Sequence, residues 1–309
     1  MSRLFTGAFL FLTCTVLAHA QCFAPLTDPK SNKTSDWNQL VQFAPEVHED
    51  GVVRVQAIKD GMGPINLDFY AITFRKPAAK TVGDVFLDIR KHFSSFAHRE
   101  ASAYEGESGQ YFLPYRGSSS DDDPLHVRNK ALWESKDPKG AVMSFVLAYH
   151  TPALAFAATL KGMKIVLEQG DVVATCTSPS DSPTQFIFST VFTAMDEYHP
   201  VNGNRGFGLR DNNDGTLTFY SMGADRETKV GTAYGHGAAI DRPYFGNEQL
   251  KAGAMSPAID AGPDAVFQAG DKFWRDFFFN LGEYLDHQGM TGNPSSFVRN
   301  TNRYHYPLN

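Results

Sequence analysis

The chain has 309 residues, a formal net charge of −6 and a mean hydropathy of −0.31. An acidic balance with no basic run excludes a nucleic-acid binder or a polybasic membrane-surface protein. The length allows one large domain or two small ones; without a repeat or low-complexity linker, residues 21–309 read as a single globular domain.

Met1 to Ala20 carries Arg3, an apolar run from Leu4 to Leu17 and the small-x-small site Ala18-His19-Ala20. This pattern predicts a secretory signal peptide with Gln21 as the mature N-terminus, hence an exported protein. The apolar run is too short to serve comfortably as an integral membrane anchor. Cys14 would leave with the leader, and in an oxidising compartment Cys22 and Cys176 are expected to pair. So long a loop would contribute up to ~4 kcal/mol in the chain-entropy model. The alternative is two separate thiols. Asn32-Lys33-Thr34 is a usable N-glycosylation sequon in a eukaryotic host, whereas Asn293-Pro294-Ser295 is excluded by its proline.

Cys22 to Asn38 is polar and turn-rich and reads as a surface wrap. Val52 to Ile58 alternates, and Ile65 to Phe74 is strongly strand-like, with Ile65, Leu67, Phe69 and Ala71 on one face and Asn66, Asp68, Tyr70 and Ile72 on the other. A solvated face explains Asp68 and Tyr70; a polar pair at a cavity explains them too. Thr81 to Ala97 predicts a helix with an apolar stripe and a capping box from Thr81 and Asp84. His92 and His98 near its end suit a helix C-terminus better than catalysis. Leu113 to Lys139 reads as loop anchored by Trp133. Ala141 to Tyr149, Lys164 to Leu167 and Asp171 to Thr177 read as short strands, and Ala153 to Leu160 as strand or short helix. No crossover long enough for parallel pairing separates them, which predicts antiparallel structure.

Phe186 to Thr193 and Thr216 to Met222 are strands by composition. Before the second, Asn212-Asn213-Asp214-Gly215 is a hairpin signal. Between them, Asp196 to Gly208 reads as a polar loop holding Asp196, Glu197, Tyr198, His199, Asn202, Asn204 and Arg205, and such loops on rigid strands are common sites of chemistry. Pro263 to Gly289 predicts a long helix whose face includes Phe273, Trp274, Phe277, Phe278 and Leu281. Met290 to Asn309 reads as a tail draped over the domain. The expected class is α+β: a curved antiparallel sheet packed on a long C-terminal helix. This order resembles that of helix-grip proteins, with a β-barrel or β-sandwich with flanking helices as the alternative.

The chain lacks H-E-x-x-H, Cys-x-x-Cys, G-x-S-x-G and both Gly-rich phosphate loops, and Gly235-His236-Gly237 is only a faint oxyanion-type signal. No metal or other cofactor is therefore expected. Acid–base and electrostatic chemistry in a cavity remains, with His199 as acid or base, Asp196 as its orienter and Arg205 and Tyr198 as donors. Asp68, Tyr70, Asp225, Arg226, Trp274 and Phe277 are the candidate substrate contacts. Residue by residue, turns and ion pairs are the better explanation of these groups; for the loop as a whole, whose polar groups exceed what a hairpin connection requires, function and structure weigh equally. With 25 phenylalanines, the expectation is a secreted, cofactor-free enzyme that isomerises, dehydrates or cyclises a hydrophobic natural product, pericyclic closure included, because positioning alone can accelerate such reactions. The alternative is a secreted binding protein or effector without turnover.

Overall fold

The computed structural model describes residues 22–24, 26, 28, 31, 33–98, 109–118, 122–148, 166–228, 265–290 and 296–308. The expected signal peptide, the Asn32 sequon, Ala153 to Leu160, Gly235-His236-Gly237 and Pro263 lie outside them. The fold is α+β, built on one nine-stranded antiparallel sheet that does not close. The strands are β1 (Val52–Val55), β2 (Met62–Arg75), β3 (Gly109–Pro114), β4 (Val142–Ala148), β5 (Val166–Thr177), β6 (Gln185–Thr193), β7 (Val201–Asp211), β8 (Thr216–Glu227) and β9 (Val298–Tyr304). Their order is β3-β4-β5-β6-β7-β8-β2-β9, with β1 paired to the end of β6. The helices are α1 (Asn38–Gln42), α2 (Val82–Lys91), α3 (Phe93–Ala97), α4 (Pro124–Glu134) and α5 (Ala265–His287).

One face of the sheet is covered by α5, α2 and α3. Phe273, Trp274, Phe277, Phe278, Leu281 and Leu285 recur at helical spacing on α5 and are all buried, each contributing about 1.5–3 kcal/mol by leaving water. Phe93 of α3 is central, with ring centroids 4.6 Å from Phe277, 4.8 Å from Phe112 and 5.2 Å from Phe207. The helix stops at Gly289, whose φ of 69° is open to glycine at little cost. The Thr81–Asp84 capping box forms as expected, but the expected single helix is two, broken at His92. The stretch read as loop contains α4, started by the Asp123 carboxylate and Pro124 at its first turn, and it buries Trp133.

The back face is covered by the N-terminal segment. Phe23, Leu26, Trp37 and Leu40 pack on Ile65, Leu67, Phe69 and Ala71 of β2. The Cys22–Cys176 disulfide ties the segment to β5 with a Cα separation of 5.8 Å. The Gln185 amide donates to Phe23 O and to the Tyr220 hydroxyl, and accepts from Cys22 N. Asn204 Nδ2 donates to both Leu40 O and Phe43 O at 2.8 Å.

Two further expectations are corrected. The polar loop is a loop only as far as Pro200, since β7 runs from Val201 and pairs residue for residue with β8. Its glycines serve close packing: a Cβ on Gly206 would lie 2.4 Å from the Phe23 ring, and one on Gly208 2.3 Å from the Tyr220 hydroxyl. The C-terminal tail supplies edge strand β9, paired with β2 from Ile65 to Ala71. The hairpin between β7 and β8 forms where expected, with positive φ at Asn213 and Gly215.

If the disulfide holds the N-terminal strap, the Cys22→Ser, Cys176→Ser double variant will lose about 2–4 kcal/mol of unfolding free energy. Urea melts under non-reducing conditions check this; an unchanged midpoint would mean the strap is held by its packing and hydrogen bonds without help from the disulfide.

Candidate functional site

Strand alternation places Asn66, Asp68 and Tyr70 of β2 on the helix face, as the sequence periodicity indicates. In the register, Asp68 lies opposite Gly223 of β8, and Gly223 lies opposite Arg205 of β7. The missing side chain at Gly223 lets Arg205 reach across a whole strand, because a Cβ there would sit 2.2 Å from Arg205 Nη2 and 2.7 Å from Asp68 Oδ1. The result is a bidentate pair, Nη1 to Oδ1 at 2.6 Å and Nη2 to Oδ2 at 2.7 Å. One register row along, Asp225 lies between Asn66 and Gly203. Asn66 Nδ2 bridges the two carboxylates, at 2.9 Å from Asp68 Oδ2 and 3.3 Å from Asp225 Oδ1. The Arg205 guanidinium carbon lies 4.3 Å from the centroid of a Trp274 ring, so α5 holds the cation from above.

These groups line one end of a cavity of about 140 Å³ between the sheet and the first half of α5. Its remaining walls are largely apolar, among them Phe145, Val172, Phe188, Phe273 and Trp274. His199, Pro200 and Val201 also line it, held where β7 diverges from β6. The Gln56 side chain accepts from His199 N at 2.7 Å and donates to His199 O, which locks this segment.

The electrostatics separate the ionisable groups. Burial, reinforced by Asp68, pushes the Asp225 carboxyl up to about 7, although Arg205 and Arg303 oppose this. Burial acts to lower the Arg205 guanidinium, but the Asp68 charge and hydrogen bonds outweigh it and leave the group raised. Burial also pushes the Tyr70 hydroxyl far up, helped by Asp68 and by its 2.6 Å hydrogen bond to Asp271. His199 is pushed down to about 4 by burial. Its Nδ1 lies 3.1 Å from Val201 N and 3.0 Å from Val201 O, so either neutral tautomer keeps a backbone partner. At neutral pH the His199 ring is thus a fixed polar group, and the carboxyl poised to exchange a proton is Asp225.

Asp68, Asp225, Arg205, His199 and Trp274 therefore converge on one cavity, and Tyr70 stands on the adjoining wall. The other candidates lie elsewhere. Tyr198 meets Phe192 edge to face, ring centroids 4.6 Å apart, and takes a hydrogen bond from Arg54. Arg226 donates to Gly63 O and Ile58 O and covers the Tyr306 ring, tying the chain behind the sheet. Phe277 is fully enclosed in the aromatic core. Asn66 and Gly223 escape sequence reasoning because their value depends on which strands are neighbours; a glycine inside a strand pattern was the one available signal.

Asp196 belongs to a second buried cluster. Ser144 Oγ lies 2.6 Å from Asp171 Oδ1 and 3.5 Å from Asp196 Oδ2, and Thr193 Oγ1 donates to Asp171 Oδ2 at 2.6 Å. Asp171 has no exposed surface, and burial followed by the Asp196 charge pushes its carboxyl well above the usual range. Tyr115 faces the pair, its own hydroxyl raised by burial and by Asp171. This cluster staples β5 to the turn before His199, behind the cavity wall. Among the described residues no group of His, Cys, Asp and Glu side chains converges on a metal-sized site, and no helix is long and apolar enough to cross a membrane.

The signs of these shifts predict a pH profile. His199 loses stability as pH falls from ~6.5 towards its folded value, because only the unfolded chain then takes up the proton. Asp171 does the reverse: its folded form keeps a proton that the unfolded chain releases above ~3.9, so stability falls as pH rises towards the folded value. The His199 slope is common to wild type and Asp171→Asn, whereas the Asp171 slope is present only in the wild type, so above ~3.9 the wild-type unfolding free energy will gain less, or lose more, with rising pH than that of the variant. Urea melts from about pH 4 upwards test this, and equal slopes throughout would remove the role of the buried proton.

A scan against models of known protein families finds none that matches the chain, and a search of the curated proteins finds no match either. The chemistry of the site rests on its geometry.

Proposed function

We propose that this chain is a secreted, cofactor-free enzyme that isomerises, dehydrates or cyclises a hydrophobic small molecule in the cavity beneath α5. The observation that carries this reading is the Asp225 carboxyl, raised to about 7 in a largely apolar cavity and set beside the fixed Arg205 cation. A carboxyl so poised serves as acid or base near neutral pH. Arg205, clamped by Asp68 and stacked on Trp274, supplies positive potential for a developing enolate or alkoxide without reorganising during the reaction. Asn66 orients Asp225, and His199 supplies a neutral hydrogen-bonding group on the cavity wall. The aromatic walls exclude water and hold the substrate in one pose. A long C-terminal helix laid along one sheet face with a cavity between them supports the helix-grip-like layout.

The competing reading is a carrier without turnover. It is favoured by the mutual satisfaction of Asp68 and Arg205, which need no substrate to complete their hydrogen bonds.

Protein secreted by its own host would be extracted with organic solvent, and the recovered compound, with its unconverted precursors, offered to wild type and to Asp225→Asn. The amide keeps the shape of the cavity, so binding will persist while conversion drops by roughly 10²–10⁴-fold. The ionisation near pH 7 will also vanish from the rate profile of the variant. Conversion at the wild-type rate by Asp225→Asn would overturn this assignment, and a compound always recovered unchanged would favour the carrier.

A further inference from the structure

The main cavity has a polar neighbour. A second cavity of about 120 Å³ adjoins it, and Asn66, Asp68 and Phe267 line both, so these side chains form the partition. The second cavity is lined on its other sides by Tyr70, Asp271, Arg299, Thr301 and Arg303, with Gln268 at its edge. Residues 299, 301 and 303 share one face of β9 by the strand period. Arg299 and Arg303 are exposed whereas Phe267 is buried, so the second cavity reaches the surface on its β9 side.

Internal donors already occupy the carboxylates of the second cavity. Asp271 takes the Tyr70 hydroxyl and Arg299 Nε on Oδ1, and Arg299 Nη2 on Oδ2 at 2.8 Å. Both oxygens of Asp68 take Arg205. A guanidinium carries more N–H donors than the two that Arg299 directs at Asp271. Arg303 donates to the neutral Asn66 amide oxygen and lies 4.2 Å over the Phe267 ring, on the partition itself.

We propose that the two cavities form one crevice for an amphipathic small molecule with an oxyanion head, its apolar body under Trp274 and its head, most simply a carboxylate, at Arg299 and Arg303. This rests on the reading of the main cavity as the substrate cavity, and it names the substrate class. Among the described residues that line the second cavity, Arg299 and Arg303 stand at its exposed end, so a head group entering there meets guanidinium N–H donors. A cationic head would meet two guanidinium groups, and a neutral ester would keep acceptor atoms but lose the charge-assisted bonds.

The full-length, disulfide-bonded protein would be titrated calorimetrically with octanoate, methyl octanoate and octan-1-ol at neutral pH. Octanoate is expected to bind at least roughly tenfold more tightly than the ester or the alcohol. The Arg299→Gln, Arg303→Gln variant will lose that preference, its affinity for octanoate falling to about its affinity for methyl octanoate. Equal binding of acid and ester to wild type, or a preference that survives in the variant, overturns the oxyanion head and leaves the apolar cavity standing. Failure of all three probes to bind overturns the crevice together with the substrate-cavity reading.

Discussion

An open nine-stranded sheet has two broad faces to remove from water, and the rest of this structure follows from how each is covered. The helix face is met by α5, whose large aromatics interdigitate with Phe186, Phe188, Phe207 and Phe219 of the sheet. Rings of this size pack well only where the helix meets the sheet closely. Towards the start of α5, the β2 and β8 positions below it carry Asp68, Asp225 and Ser221 in place of phenylalanine. The hydrophobic contact weakens there and leaves the cavity. The position of the site is thus a consequence of where the aromatic core stops.

Within that gap, the Arg205–Asp68 pair settles the electrostatics. A buried carboxylate and guanidinium are tolerable only when joined with good geometry and further hydrogen bonds, and Gly223 provides the space for both. Burial disfavours the charged form of the nearby Asp225, and the proximity of Asp68 adds to this. Two aspartates on neighbouring strands thereby acquire different places: one paired bidentately with Arg205, the other pushed up to about 7. The Asp171 cluster behind the wall obeys the same logic, but with hydroxyls in place of a cation.

The back face is covered by chain ends. Cys22, Phe23 and the α1 segment lie across β5 to β8, and β9 closes the β2 edge. Covering that edge satisfies the backbone groups of β2 from Ile65 to Ala71, which would otherwise offer an exposed template for pairing. It also brings Arg299 and Arg303 to the second cavity, so the covering of the edge and the charge at its exposed end have one origin.

Much of the local structure was legible in the residues themselves. The alternation of β2, the apolar stripe of α5, the Thr81–Asp84 cap, the hairpin at Asn212 to Gly215 and the pairing of Cys22 with Cys176 all follow from short-range periodicity, turn stereochemistry and cysteine count. The polar stretch from Asp196 to Gly208 misled because glycines signal turns when read locally, whereas Gly203, Gly206 and Gly208 make room for Asp225, Phe23 and Tyr220 on other segments. Sequence alone determined which face of β2 carries Asp68 and Tyr70. Tertiary structure alone decided that Arg205 reaches Asp68 across Gly223, that Tyr198 and Asp196 stand apart from His199, and that burial raises the Asp225 carboxyl. The physical reason is that periodicity depends on neighbours in the chain, while charge pairing and burial depend on neighbours across the sheet.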